Sequence, residues 1–220
     1  MIIQRSPNQG PRRDGLRPSL VVLHYTAMQS ADAALTRLCD PGAEVSAHYL
    51  ICGQGTVYQM VDEDQRAWHA GQGEWAGVND INSRSIGIEL DNRGTHPFSE
   101  PQMRALEDLL RGIMARWGIA AEAIIGHSDM APGRKADPGP RFDWARLARQ
   151  GLASTGKDGA SPKEVSADSF IEAARQAGFT SDVALDTLLA AVRLRFAPWR
   201  SGPLCQDDLK LCHRISSKWE

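Results

Sequence analysis

The chain has 220 residues, 42% of them apolar and 24% charged, with a formal net charge of −2. That composition can bury a sizeable core and excludes a wholly disordered chain. No apolar run reaches the roughly 18–20 residues of a membrane span, and neither the first 150 residues nor the remainder shows the basic excess of a general nucleic-acid binder. The opening residues, Met-Ile-Ile-Gln-Arg-Ser-Pro-Asn, lack the charged and apolar stretches of a secretory signal. The expected location is the cytoplasm, or the periplasm or cell envelope if a leader has been removed.

Ser19–Thr26 (S-L-V-V-L-H-Y-T) is short, apolar and rich in β-branched residues, and reads as a buried strand. Ser30 and Asp32 open a helix through Ala33, Leu35 and Leu38 that ends near Pro41-Gly42. Strands over His48–Cys52 and Thr56–Val61 flank Gly53-Gln54-Gly55 and form a hairpin. Ser85–Leu90 (S-I-G-I-E-L) is a fourth strand. From Pro101 to Gly118, the apolar residues Met103, Leu106, Leu110, Ile113 and Trp117 recur at alternating steps of about three and four, the stripe of an amphipathic helix. Ala123-Ile124-Ile125 leads to Gly126-His127, a Pro- and Gly-rich loop spans Ala131–Phe142, and Asp143 caps a short helix over Trp144–Arg149. Interleaved strands and helices predict an α/β fold, and the hairpin predicts a mixed central sheet flanked by helices.

Residues 151–167 are rich in Gly, Ser, Pro and charge and read as a linker between a domain over 1–150 and a small all-α module over 168–220. Phe170, Ala174 and Ala177 line its first helix. Leu185, Leu188, Leu189, Val192 and Phe196 line the second, and Cys205, Leu209, Cys212 and Ile215 the third. In the basic and aromatic run from Arg193 to Arg200, the expected arrangement is solvated arginines with Phe196 and Trp199 packed. Cys39, Cys52, Cys205 and Cys212 include no C-x-x-C pair. Seven residues on a helix span about 10.5 Å, too far for Cys205 and Cys212 to bridge. Four reduced thiols are expected.

Six histidines are candidates for chemistry. His24 lies near the C-terminal end of a buried strand, His127 opens a polar loop, and Asp137 follows in that loop. Two imidazoles and one carboxylate would leave a fourth metal position open to water, as in a catalytic zinc site. Spacing alone does not select this set, because six histidines and 27 acidic residues admit many others.

Five motifs in order narrow the choice: V-V-L-H-Y-T at Val21–Thr26, S-A-H-Y-L-I at Ser46–Ile51, A-W-H-A-G at Ala67–Gly71, N-S-R-S-I-G-I-E-L at Asn82–Leu90 and G-H-S-D-M-A-P-G-R-K-A-D-P-G-P at Gly126–Pro140. Over roughly Leu20 to Gln150 the chain resembles the zinc-dependent N-acetylmuramoyl-L-alanine amidases, in particular the AmiD/AmpD branch of the amidase-2 family. That family is related to phage amidase lysozymes and to animal peptidoglycan-recognition proteins. The resemblance implies one zinc ion held by His24, His127 and Asp137, with Glu89 as the catalytic carboxylate. It implies that Lys135 stabilises the oxyanion, and that the bond cut joins the lactyl group of N-acetylmuramic acid to L-alanine in peptidoglycan or its muropeptides. His48 and His69 recur in the motifs and are expected on the cleft wall in contact with substrate, behind it, or packed in the interior. Tyr25, Trp68 and Trp75 could stack on substrate or belong to the core. The helical module is similar in length and position to the three-helix peptidoglycan-binding module of some of these amidases, and carries none of the candidate catalytic positions. Two alternatives remain open: a muropeptide-recognition protein without catalysis on the same fold, and a zinc peptidase, although no H-E-x-x-H helix is present.

Overall fold

The structure is a computed structural model that describes residues 1–154 and 164–212. Most of the expected linker, His213 and Ile215 lie outside the described residues. In chain order the elements are β1 (Ile2–Ile3), β2 (Gln9–Pro11), β3 (Leu20–Tyr25), α1 (Ala31–Cys39), β4 (Tyr49–Ile51), β5 (Val57–Gln59), β6 (Gln65–Ala67), α2 (Ile81–Arg84) and β7 (Ser85–Leu90). There follow α3 (Glu100–Trp117), β8 (Ile124–Gly126), α4 (His127–Met130), α5 (Trp144–Arg149), α6 (Ala167–Gln176), α7 (Leu185–Phe196) and α8 (Gln206–Leu211).

Six strands form one mixed sheet in the order β1-β5-β4-β7-β3-β8. β4 and β5 pair antiparallel across the expected hairpin, and every other pair is parallel. β2 and β6 form a separate antiparallel ribbon. β3 is almost wholly buried because both sheet faces are covered, which explains its unbroken apolar run. α3 starts at Ser99, whose hydroxyl accepts from the Gln102 N–H, and buries Met103, Leu106, Leu110 and Ile113 in one core with Val21, Leu23, Ile86, Ile88 and Leu90. α1 buries Ala34 and Leu38 in a second cluster with Leu50, Met60, Val61 and Ala67. Side chains two apart on a strand share a face. Val22 and His24 therefore share a face with their register partners Gly87 and Glu89.

The C-terminal helices are built onto this sheet. Phe170, Ala174, Phe179, Leu188, Leu189, Val192 and Leu209 belong to the same core cluster as β3 and α3. Trp75 is part of that core, edge-on to Phe179 at 5.0 Å. Gly178 O accepts from the Ala76 N–H, and Thr180 Oγ1 from the Gly77 N–H. The stretch read as linker opens inside the core, since Leu152 and Ala153 are buried within their Gly- and Ser-rich surroundings.

In the run from Arg193 to Arg200, Phe196 packs against the core as expected, but the arginines and Trp199 depart from the expected arrangement. Arg193 and Arg195 are buried, whereas Trp199 is 80% exposed. Apolar spacing misassigned the arginines because each finds a buried acid on another element, Asp208 and Asp129 respectively. Cys205 and Cys212 flank α8 rather than lying within it, and all four cysteines are free thiols. Among the described residues no helix is long and apolar enough to cross a membrane.

Candidate metal centre

His24 occupies the penultimate position of β3. Because β8 pairs in parallel with β3, Leu23 opposite Gly126, the residue after β8 arrives beside His24. That residue is His127. It is the first residue of the one-turn helix α4 rather than the start of a loop. The loop after α4 returns Asp137 to the same place, where its carbonyl accepts the Ser128 N–H at 3.0 Å. Gly126 permits this approach, since a Cβ there would lie 2.8 Å from Pro138 Cδ.

The three side chains meet closely. His24 Nδ1 lies 2.9 Å from both His127 Nδ1 and Asp137 Oδ2, and His127 Nδ1 lies 3.0 Å from Asp137 Oδ2. All three residues are buried, and among the described residues they form the one such group placed to hold a metal ion. Both imidazoles are fixed with Nδ1 turned inward. His127 Nε2 donates to Ala70 O at 2.8 Å. His24 Nε2 faces His69 Nδ1 at 3.0 Å, His69 Nε2 faces Ser85 Oγ at 3.2 Å, and the Ser85 hydroxyl donates to Ile81 O at 2.6 Å. Read back from that carbonyl, Ser85 accepts the His69 Nε2–H, and His69 Nδ1 accepts the His24 Nε2–H. Each candidate ligand thus keeps its Nδ1 lone pair for a metal, the usual arrangement behind ligating histidines. The His69 ring lies over Gly87 of β7, where a Cβ would stand 2.4 Å from His69 Cγ, so only glycine fits this strand position.

Burial, and then the neighbouring His127, lower the His24 pKa to about 4, so His24 is neutral at physiological pH. Burial alone would raise the Asp137 carboxyl, but its close side-chain contacts with His127 and His24 outweigh that and hold it well below the usual carboxylate range. Two imidazole nitrogens and one carboxylate oxygen make a donor set suited to zinc with a position left open. Glu89 sits opposite His24 in the β3–β7 register, and its Oε2 is buried without a hydrogen-bond partner. An orphaned carboxylate oxygen beside such a triad fits a site that receives a metal and a water. A cleft of about 490 Å³ opens over the triad and is lined by Tyr25, Trp68, His69, Glu89 and Lys135.

A family profile described as N-acetylmuramoyl-L-alanine amidase (Amidase_2) matches residues 14–140. The chain belongs to this family. The N-acetylmuramoyl-L-alanine amidase AmiD of Escherichia coli K12 is 41% identical over 154 residues, 63% of this chain and 55% of that protein, so the match spans little more than half of AmiD. The 1,6-anhydro-N-acetylmuramyl-L-alanine amidase AmpD of Enterobacter cloacae is 36% identical over 170 residues, 70% of this chain and 91% of AmpD. The solved complex of E. coli AmiD with the substrate anhydro-N-acetylmuramic acid-L-Ala-D-gamma-Glu-L-Lys matches with a TM-score of 0.76 at 32% identity, covering 89% of this chain and 88% of that one. The mixed sheet with flanking helices is therefore the fold of this amidase family.

Not every candidate residue reaches the amidase cleft. His48 is 0% exposed, which fits its reading as a packed group or one behind the wall and not as a substrate contact. Its Nδ1 accepts the Gly87 N–H at 2.9 Å and its Nε2 donates to Gln65 O at 3.1 Å, which ties β7 to the β2–β6 ribbon. Two arginines that the sequence reading missed, Arg37 on α1 and Arg134 beside Lys135, also line the cleft. Arg134 donates to Ala70 O at 2.9 Å, the carbonyl that fixes His127. The adjacent Arg134-Lys135 pair was the available signal for a cationic rim.

Burial, followed by the charge of Arg12, lowers the His48 pKa to about 3. The unfolded chain, near the ordinary value of about 6.5, takes up a proton at pH 5 that the native state refuses. The stability due to neutral His48 is thus fully present above about pH 6.5 and is lost as pH falls toward 3. Between pH 7 and 5 this loss amounts to about 2 kcal/mol. Urea unfolding of the wild type and His48→Asn at the two pH values measures it, with a shallower pH dependence expected in the variant.

Proposed function

We propose that this chain, with one zinc ion held by His24, His127 and Asp137, hydrolyses the amide between the lactyl group of N-acetylmuramic acid and the L-alanine of peptidoglycan or muropeptide stem peptides. The observation that carries the reading is the triangle of donor atoms, 2.9–3.0 Å on a side, at the floor of a cleft beside the unpartnered Glu89 oxygen. When bound, zinc supplies a Lewis acid that lowers the pKa of water toward about 7 and polarises a carbonyl. Glu89 accepts a proton from the attacking water and delivers it to the departing amine. Lys135, exposed on the loop between His127 and Asp137, brings an ammonium to the oxygen that gains negative charge as the carbonyl is attacked. Tyr25 and Trp68 offer aromatic faces on the cleft wall, and Arg37 and Arg134 offer cations for the carboxylates of a stem peptide. A recognition protein without catalysis would leave the triad and the orphaned Glu89 without a task.

The water oxygen ends on the lactyl carbon, the C–N bond breaks, and the proton leaves on the amine. Digestion of a soluble muropeptide should release a stem peptide with a free N-terminal alanine and leave an unsubstituted lactyl carboxylate on the sugar, both visible by mass spectrometry. New reducing ends without free alanine would overturn the reading, as would cleavage inside the peptide.

A further inference from the structure

Arg195 belongs to α7, in the module expected to carry none of the chemistry, yet its side chain ends against the segment that carries His127. It is 5% exposed. Its Nη2 donates to Ile124 O at 3.0 Å, its Nη1 lies 3.5 Å from Asp129 Oδ2, and its Cζ stands 3.2 Å from the centroid of the Trp144 ring. Nη1 has no hydrogen-bond partner, so it is committed to the charge of Asp129. The same Asp129 Oδ2 accepts the Gly126 N–H at 2.7 Å. His127 lies between these attachments, after Ile124 and Gly126 on β8 and before Asp129 on α4. One planar cation therefore grips both sides of the strand-to-helix junction that presents a candidate ligand.

A helix of one turn has too few internal hydrogen bonds to hold its own orientation. α4 depends on outside ties, and Arg195, which does not line the cleft, provides one. A buried guanidinium is tolerated only where acceptors and counter-charge are in place, and its flat fork can serve a carbonyl, a carboxylate and a ring face together in a way that an ammonium cannot. Arg193, two residues earlier, makes the contrast. It pairs with Asp208 at 2.8 and 2.7 Å and donates to the carbonyls of Gly202 and Pro203, all within the module.

We propose that Arg195 is a positioning residue for the metal centre: through it the C-terminal module clamps the β8–α4 junction and sets the orientation in which His127 presents Nδ1. The inference rests on the zinc reading above. It makes the module part of the catalytic scaffold, whatever else it binds.

The test uses the full chain as wild type, Arg195→Met, Arg195→Lys and Arg193→Met, each at a temperature where circular dichroism shows it folded. Zinc affinity is read by competition with a chromogenic chelator, and kcat and KM on a soluble muropeptide at saturating zinc. Arg195→Met should lose about 10- to 100-fold in zinc affinity, the range for residues that orient metal ligands, and should lower kcat with KM little changed. Arg195→Lys should recover part of both. Arg193→Met should melt earlier yet keep wild-type zinc affinity while folded. Wild-type affinity and kcat in Arg195→Met overturns the inference, and if that variant does not fold, the same result in Arg195→Lys overturns it. Equal weakening by Arg193→Met also overturns it, because the effect then belongs to general module stability. A wild type without zinc affinity fails the proposed function, and this inference with it. Intact wild-type affinity with unaffected Arg195 variants fails the inference alone.

Discussion

His127→Ala should hold no zinc under conditions in which the wild type holds about one ion per chain, and its hydrolysis of a muropeptide should fall to the uncatalysed level. The variant loses one of three donor atoms that lie within 3.0 Å of one another, leaving a single imidazole and a carboxylate. It also loses the Nε2 hydrogen bond to Ala70 O that joins α4 to the segment after β6. Two ligands cannot keep a four-coordinate ion against water, and without the ion there is neither an acidified water nor a polarised carbonyl. Stripping the wild type with a chelator should abolish turnover equally, and added zinc should restore the wild type but not the variant. Metal analysis of the purified chains, paired with release of alanine-terminated peptide, checks both halves. Full hydrolysis by a rigorously metal-free wild type would end the zinc mechanism.

The sequence made some of this site legible and hid the rest for identifiable reasons. β3 was readable because a strand buried on both faces is a nearly unbroken apolar run, but it was the motifs of the family resemblance, not the runs, that singled out His24 and Glu89. That the two residues face each other across adjacent strands was not readable, because register is a tertiary property. His127 was assigned to a loop because H-S-D-M is one turn, too short to show helical periodicity. β1, β2 and β6 escaped for a similar reason, having two or three residues each and little apolar alternation. The arginines of α7 were beyond local reading, because what makes them buried is an acid elsewhere in the chain. The same holds for Leu152 and Ala153, two apolar residues that join the core shared by the sheet and the C-terminal helices.

Glu89→Gln should separate proton transfer from metal binding. The substitution keeps the size of the side chain and its place opposite His24, and it leaves all three candidate ligands untouched. Zinc content should stay near wild type while turnover falls by about 10²–10⁴, the usual worth of a positioned general base. Loss of zinc instead would make Glu89 a ligand and put the assignment of Asp137 in doubt. A second signature comes from stability without metal. Burial, and then the negative charge of Asp137 against the opposing charge of Lys135, raise the Glu89 pKa to about 8. A carboxyl with a raised native pKa favours the folded state in its protonated form. That contribution is whole below the unfolded value near 4.5 and is lost as pH rises through 8. Glutamine carries no charge at any pH, so metal-free Glu89→Gln should melt above the metal-free wild type at pH 9, with the gap closing as the pH falls toward 5. Greater stability together with lost turnover is what a carboxylate kept in an unfavourable place for its chemistry should show. A residue serving only to pack the strand would show the stability gain without the loss of turnover.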